Sequence, residues 1–209
     1  MSKPAMPPVD LLAISTHPDD VELGCGGTLI LAARRGLRVG IADLSRGEAA
    51  TRGTPAVRAR EAAAAAALLG VVARTCLDLP DTRIGMEAGQ VDAVVALIRA
   101  ARPRVLLAPY PEDRHPDHAA AARLVERAAF LARLGGQGAG EPHAIAHLVR
   151  YAGHHPFQPG FVVDVSAVWP QRMRAVLAHA SQFAGGDDPP TALAGGDFLR
   201  FVEARAVCH

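Results

Sequence analysis

The 209-residue chain is half hydrophobic, 21% charged and carries a formal net charge of +1, which fits a globular protein with a core of its own. Near-neutral charge with dispersed arginines argues against a nucleic-acid surface. The odd set Cys25, Cys76 and Cys208, with no CxxC pair, argues against a disulfide framework or a thiolate zinc cluster and fits a reduced, cytoplasmic setting. No apolar run approaches the roughly 20 residues that span a bilayer, and the opening MSKPAMPP lacks the apolar core of a signal peptide.

The first apolar run, VDLLAIS at 9–15, is short, does not alternate, and ends at His17-Pro18, as a buried parallel strand does. A helix is expected over 24–35, stopped by Gly36, and a second strand over 37–44. Thr54-Pro55 opens a long helix that runs to Leu69 and stops at Gly70, with proline suited to its first turn. A third strand is expected over 71–77, a helix over 88–101 halted by Pro103, and a fourth strand, RVLLA, over 104–108. A helix over 116–134 follows, then a flexible loop at 135–140, strands at 144–151 and 161–165, and a helix over 170–183. Strand and helix alternate at least four times. The expected fold is therefore α/β, a Rossmann-like, doubly wound and mainly parallel sheet with helices on both faces, in one domain spanning 1–209.

Two tetrapeptides carry chemistry. His17-Pro18-Asp19-Asp20 directly follows the first strand, and His115-Pro116-Asp117-His118 shortly follows the fourth. Open α/β sheets bind ligands at the carboxyl ends of strands, where strand order reverses. In the common order 3-2-1-4, strands one and four are neighbours at that reversal, and the two motifs face one crevice. Catalytic zinc takes three N/O side chains and keeps a fourth position open. Two histidines and a carboxylate meet that need, and the remaining groups suit amide hydrolysis. A carboxylate can take a proton from water, and a second imidazole can stabilise an oxyanion or protonate a leaving amine. Spacing alone does not settle which imidazole binds metal. Either tetrapeptide alone is as easily a turn, with Asp19, Asp20 or Asp117 capping the next helix.

The segments HPDDVELGCGGTL, LSRGEAATRGT and PYPEDRHPDH, with LDLPDTRI, FVVDVS and SQF in order, resemble the LmbE/PIG-L family of zinc N-deacetylases over nearly the whole chain. RGE with TRGT, DRHPDH and the late SQF point to the branch that deacetylates N-acetylglucosaminyl-malate in bacillithiol synthesis. The resemblance implies His17, Asp20 and His118 as metal ligands and Asp19 as general base. His115 would polarise the carbonyl or act as acid, oriented by Asp117. Zinc is the implied ion, with Fe(II) an alternative for two histidines and a carboxylate. The implied partner is a small N-acetylated amino sugar, and the implied assembly is a homo-oligomer, a trimer or hexamer.

The family's pocket is completed by the loop after the second strand, where Arg46, Glu48, Arg52 and Arg58 lie. Guanidinium groups suit a malate carboxylate through their bidentate fork, although Arg58 and Glu61 read equally as helix-surface charges. Asp81 would contact sugar hydroxyls or turn the chain with Pro80. His154, His155 and His179 read as ordinary loop residues, the first two at most on the pocket rim, and Cys25 as a small core residue. The GCGG run is not a dinucleotide fingerprint, and no GxSxG is present. Past EARA the chain ends at Val207-Cys208-His209, so its C-terminal tail is shorter than this branch carries. A shorter tail would bear on pocket closure and subunit contacts.

Overall fold

The computed structural model describes residues 6–135, 140–155, 157–184, 189–194 and 196–207. Most of the expected loop at 135–140, and Cys208 with His209, lie outside them. The chain runs β1 (Leu11–Ser15), α1 (Asp20–Gly24), α2 (Gly26–Arg34), β2 (Val39–Asp43), α3 (Pro55–Leu69), β3 (Ala73–Cys76), α4 (Ala88–Ala101), β4 (Val105–Pro109) and α5 (Pro116–Ala132). It continues with β5 (His147–Tyr151), α6 (Trp169–Leu177), α7 (Ala180–Phe183) and α8 (Asp197–Val207). The five strands form one parallel sheet in the order β3-β2-β1-β4-β5. The fold is α/β and Rossmann-like, with β1 and β4 side by side at the reversal of strand order.

Side-chain alternation along β1 divides the core into two layers. Leu12 and Ile14 pack with Val94 and Ile98 of α4 and Leu124 and Val125 of α5. Leu11 and Ala13 point the other way, to Leu29 and Ile30 of α2, Leu69 of α3 and Ala175 of α6. Fully burying one such aliphatic side chain stabilises by about 1.5–3 kcal/mol, so both faces hold the sheet in register. A smaller cluster of Leu23, Val176, Phe183 and Val202 joins α1, α6, α7 and α8 at the edge of the crevice. Local signals set the helix ends: Thr54 Oγ1 accepts the Val57 N–H at the start of α3, and Gly70 closes it at φ 73°. No described helix is long and apolar enough to cross a membrane.

Three expected elements differ, and one helix was not expected. The helix over 24–35 begins earlier and breaks at Cys25, giving α1 and α2. Gly24 sits at the break because β5 passes against it: a Cβ there would lie 2.3 Å from the Tyr151 ring. The helix over 170–183 breaks at His179, whose side chain turns inward and is fully buried. The segment 161–165 forms no strand. Phe161, Val162 and Val163 are exposed, Val165 packs over Gly27, and Asp164 Oδ1 accepts the Ser166 N–H to start a short 3₁₀ turn. Apolar content alone resembled a strand here, but no neighbouring ladder takes it up. Helix α8 had no counterpart among the expected elements, because its apolar stripe is short and follows a Gly-Pro-rich run.

Candidate metal centre

The strand order brings both tetrapeptides to the carboxyl ends of β1 and β4, around an open crevice of about 420 Å³. That size suits a small-molecule ligand. His17 follows β1, and its backbone N–H donates to Asp20 Oδ2 at 2.7 Å, folding the HPDD turn back on itself. His118 rises from the first turn of α5, which starts with Pro116 at a position where the missing N–H costs nothing. His118 Nε2 lies 3.2 Å from Asp20 Oδ1, and His17 Nδ1 lies 3.6 Å from Asp20 Oδ2. Donor atoms of His17, Asp20 and His118 all fall within 4.8 Å of one another. A tetrahedral ion with bonds near 2.1 Å holds its donors about 3.4 Å apart, so this set has the spacing and chemistry of a zinc-type site.

The electrostatics also call for a cation. Asp19, Asp20, Asp81, Asp113 and Asp117 all contact the imidazoles or guanidinium of this site. Burial opposes charge on His118, but Asp20 and Asp113 outweigh it and raise the ring to about 9. His17 rises for the same reason, with Asp117, Asp20 and Asp81 overcoming burial. Asp20 is driven low by His118 and His17 against its own desolvation. Protons here occupy the lone pairs a metal would use, so metal and proton compete for these ligands.

Asp19 sits at φ 133° and ψ −24°, an uncommon conformation for a residue with a side chain. Such strain costs on the order of 1–3 kcal/mol and persists where the surroundings enforce it. Arg58 does so: Nη2 donates to Pro18 O at 2.7 Å and to Asp19 Oδ2 at 3.4 Å, and Nη1 donates to Gly47 O at 3.3 Å. A Cβ on Gly47 would stand 1.9 Å from Arg58 Nη1, so only glycine admits this guanidinium. Burial raises the Asp19 carboxyl to about 6, and Arg58 limits the rise.

His115 borders the crevice, its ring 4.8 Å from that of His17 and 4.9 Å from that of His118. Burial and the neighbouring His17 and His118 lower its pKa. Its Nδ1 accepts the Asp117 N–H at 3.2 Å, which puts the proton of the neutral ring on Nε2. The Asp117 carboxylate instead accepts the Thr82 N–H at 2.8 Å and stands 3.7 Å from His17 Nε2.

The remaining expected pocket residues divide. Arg52 and Arg58 line the crevice and are buried, so Arg58 is not a helix-surface charge. Glu61 is tied to Ser181, accepting from its N–H and its hydroxyl at 2.7 Å each. Arg46 is exposed and faces Asp78 at 3.7 Å, and Glu48 Oε1 accepts the Asp81 N–H, so neither lines the crevice. Asp81 lines it, with Oδ1 2.9 Å from His17 Nε2 and Oδ2 accepting the Ala49 N–H. The His17 contact holds Asp81 down to about 2 against its desolvation. Cys25 is buried in the core, as expected.

Sequence reasoning missed three residues. Asp113, two positions before the second tetrapeptide, reaches His118 and His154. His154 is no ordinary loop residue: its ring stacks on His118 at 5.2 Å. His179 is fully buried with Nε2 3.2 Å from Glu22 Oε1. The DxHPDH spacing could have marked Asp113, since a carboxylate two residues before a ligand loop is well placed to brace it. His154 and His179 arrive from distant loops and carry no local signal.

A His-Asp-His cluster at the switch point of a parallel sheet, flanked by a buried carboxylate and a neutral imidazole, is the equipment of a hydrolase. The family model described as PIG-L, GlcNAc-PI de-N-acetylase, matches residues 12–129. The chain belongs to this PIG-L/LmbE family and is an N-deacetylase by class. It is 31% identical over 189 residues to a diacetylchitobiose deacetylase of Thermococcus kodakarensis, covering 83% of this chain and 70% of the relative. It is 28% identical over 185 residues to a probable N-acetyl-alpha-D-glucosaminyl L-malate deacetylase 2 of Bacillus cereus, covering 82% and 83%. Among solved structures, a conserved protein from Thermus thermophilus aligns with TM-score 0.85 and 43% identity over 96% of this chain and 86% of that one.

Proposed function

We propose that this protein is a zinc-dependent deacetylase that frees the amine of an N-acetylglucosaminyl conjugate, with N-acetylglucosaminyl-malate, the bacillithiol precursor, as the conjugate. The carrying observation is the spacing of the His17, Asp20 and His118 donors beside the buried Asp19. A bound divalent ion would supply Lewis-acid polarisation of the acetamide carbonyl and a more acidic water. Asp19 would take the proton of the attacking water on its carboxylate. A carboxyl near 6 is largely ionised at neutral pH yet still basic enough to accept it. The attacking oxygen then bonds to the carbonyl carbon while His115 Nε2–H hydrogen-bonds the carbonyl oxygen, and the proton held on Asp19 passes to the leaving nitrogen, so the C–N bond breaks to give acetate and an ammonium group. Asp117 holds that imidazole through its backbone N–H, and Asp81 braces His17 from behind.

A second reading, a neutral diacetylated disaccharide as substrate, is favoured by one feature. The Arg58 guanidinium is committed to Pro18 O, Gly47 O and Asp19, and Arg46 lies off the crevice. Of the arginines named for malate, Arg52 and Arg58 are the two that line the crevice, and both are buried. Acetate release from N-acetylglucosamine, diacetylchitobiose and N-acetylglucosaminyl-malate separates the two. A preference for the malyl compound upholds the first reading, a preference for the disaccharide replaces it with the second, and no acetate from any of them overturns both.

A further inference from the structure

Behind His118 lies a second layer of polar side chains that the deacetylation chemistry above does not use. While His118 Nε2 faces Asp20, Nδ1 on the opposite side of the ring faces Asp113 Oδ1 at 3.4 Å. The Asp113 side chain is only 2% exposed. Its Oδ1 accepts the His115 N–H at 2.9 Å and stands 2.9 Å from His154 Nδ1, and its Oδ2 accepts the His154 N–H at 2.8 Å. One carboxylate therefore ties the loop after β4 to the loop after β5. Gly153 permits the approach, since a Cβ there would stand 2.2 Å from Asp113 Oδ2. The far side is backed by α8: Phe198 packs on the His154 ring at 5.8 Å, and Arg205 donates to Gly153 O.

We propose that Asp113, held by His154, is the positioning residue that fixes the His118 ring and tautomer and so sets the metal affinity of the site. This rests on the reading of His118 as a ligand. An imidazole that gives its Nδ1–H to a carboxylate keeps the Nε2 lone pair free and aimed, and the carboxylate makes it more basic. Two backbone N–H donors and the His154 ring keep Asp113 from swinging into the ligand sphere itself. The dependence then runs outward, from His118 to Asp113, to His154 and to the α8 residues behind it.

The test is zinc affinity of the purified full chain, stripped and titrated in competition with a chromophoric chelator, with the cobalt(II) absorption spectrum as a second readout. Asp113→Asn is expected to bind zinc about 10–100-fold more weakly, the usual effect of losing such an outer carboxylate, and to shift the cobalt bands. His154→Ala should show a smaller loss, and Arg205→Ala a smaller one still. Equal zinc affinity and equal cobalt spectra in wild type and Asp113→Asn overturn the proposal while leaving the ligand assignment standing. Zinc binding that survives Asp20→Ala but vanishes in Asp113→Asn overturns it differently, placing the ion among Asp113, His118 and His154, whose donors also lie within 4.8 Å of one another. A wild type that binds no zinc defeats the ligand reading and this proposal with it. If Asp113→Asn does not fold, His154→Ala carries the same comparison, and unchanged affinity there overturns the proposal.

Discussion

The crevice cluster around Asp20 and the sealed cluster around Glu22 are built from the same residue types, two positions apart on α1, yet they solve opposite problems. Around Glu22 the chain brings its own counter-charge. Arg74 of β3 donates to Glu22 Oε1 at 2.5 Å and to both Asp43 oxygens at 2.8 Å, and His179 completes the group. Burial would push Glu22 up, but Arg74 and His179 outweigh it and hold its carboxyl at about 2. Around Asp20 the carboxylates outnumber the guanidinium bonded to them, the donors converge, and the site opens to solvent. A buried acid with an internal arginine is architecture. An acid at the crevice floor whose partners are imidazoles at ligand spacing is a place for an ion.

Breaking the crevice cluster gives the largest expected effects. Asp20→Ala and His118→Ala should abolish both zinc binding and deacetylation, measured by metal analysis and acetate release, and should lose the stability that bound zinc adds. Asp19→Asn should keep the metal and lose turnover by about 10²–10⁴-fold, the typical share of a general base. Equal metal loss in all three would erase the distinction between ligand and base.

The sealed cluster should behave in reverse. Arg74→Ala leaves Glu22 and Asp43 as buried unpaired charges and is expected to cost about 3–5 kcal/mol in denaturant unfolding, before any direct effect on metal. Its pH signature has a definite sign. The folded Glu22 carboxyl is depressed from an ordinary 4.5 to about 2, so its contribution is present above pH 4.5 and is lost as pH falls toward 2. Thermal unfolding of wild type should therefore weaken more steeply over that window than unfolding of Glu22→Gln. Parallel curves would show that Arg74 does not stabilise the ionised acid. Chelation of bound zinc should lower stability by about 2.7 kcal/mol if the free ion stood at a hundred times its Kd. At the small end, Arg38→Ala removes an exposed 3.9 Å pair with Asp10 and should change stability by less than about 1 kcal/mol.

Much of this was legible from the chain alone. Apolar runs gave β1, β2 and β4 to within two residues at either end, and Thr54-Pro55 with Gly70 bounded α3. The tetrapeptides marked the candidate metal centre because their function is local: a turn at a strand end must present its donors within four residues. What failed was long-range. Segment 161–165 has strand composition but no strand beside it, and the break at His179 exists because Glu22, from the other end of the chain, lies underneath.

The sequence by itself determined the alternating α/β order and the residues offered as ligands, since both depend on near neighbours and on periodicity. Only the tertiary structure decided which groups stand behind them. Asp113 and His154 meet at His118 because β4 and β5 are adjacent, and Arg58 reaches Asp19 because α3 packs beneath the HPDD turn. These contacts join loops from separate strands and helices, and no local pattern records a meeting that burial of the whole sheet brings about.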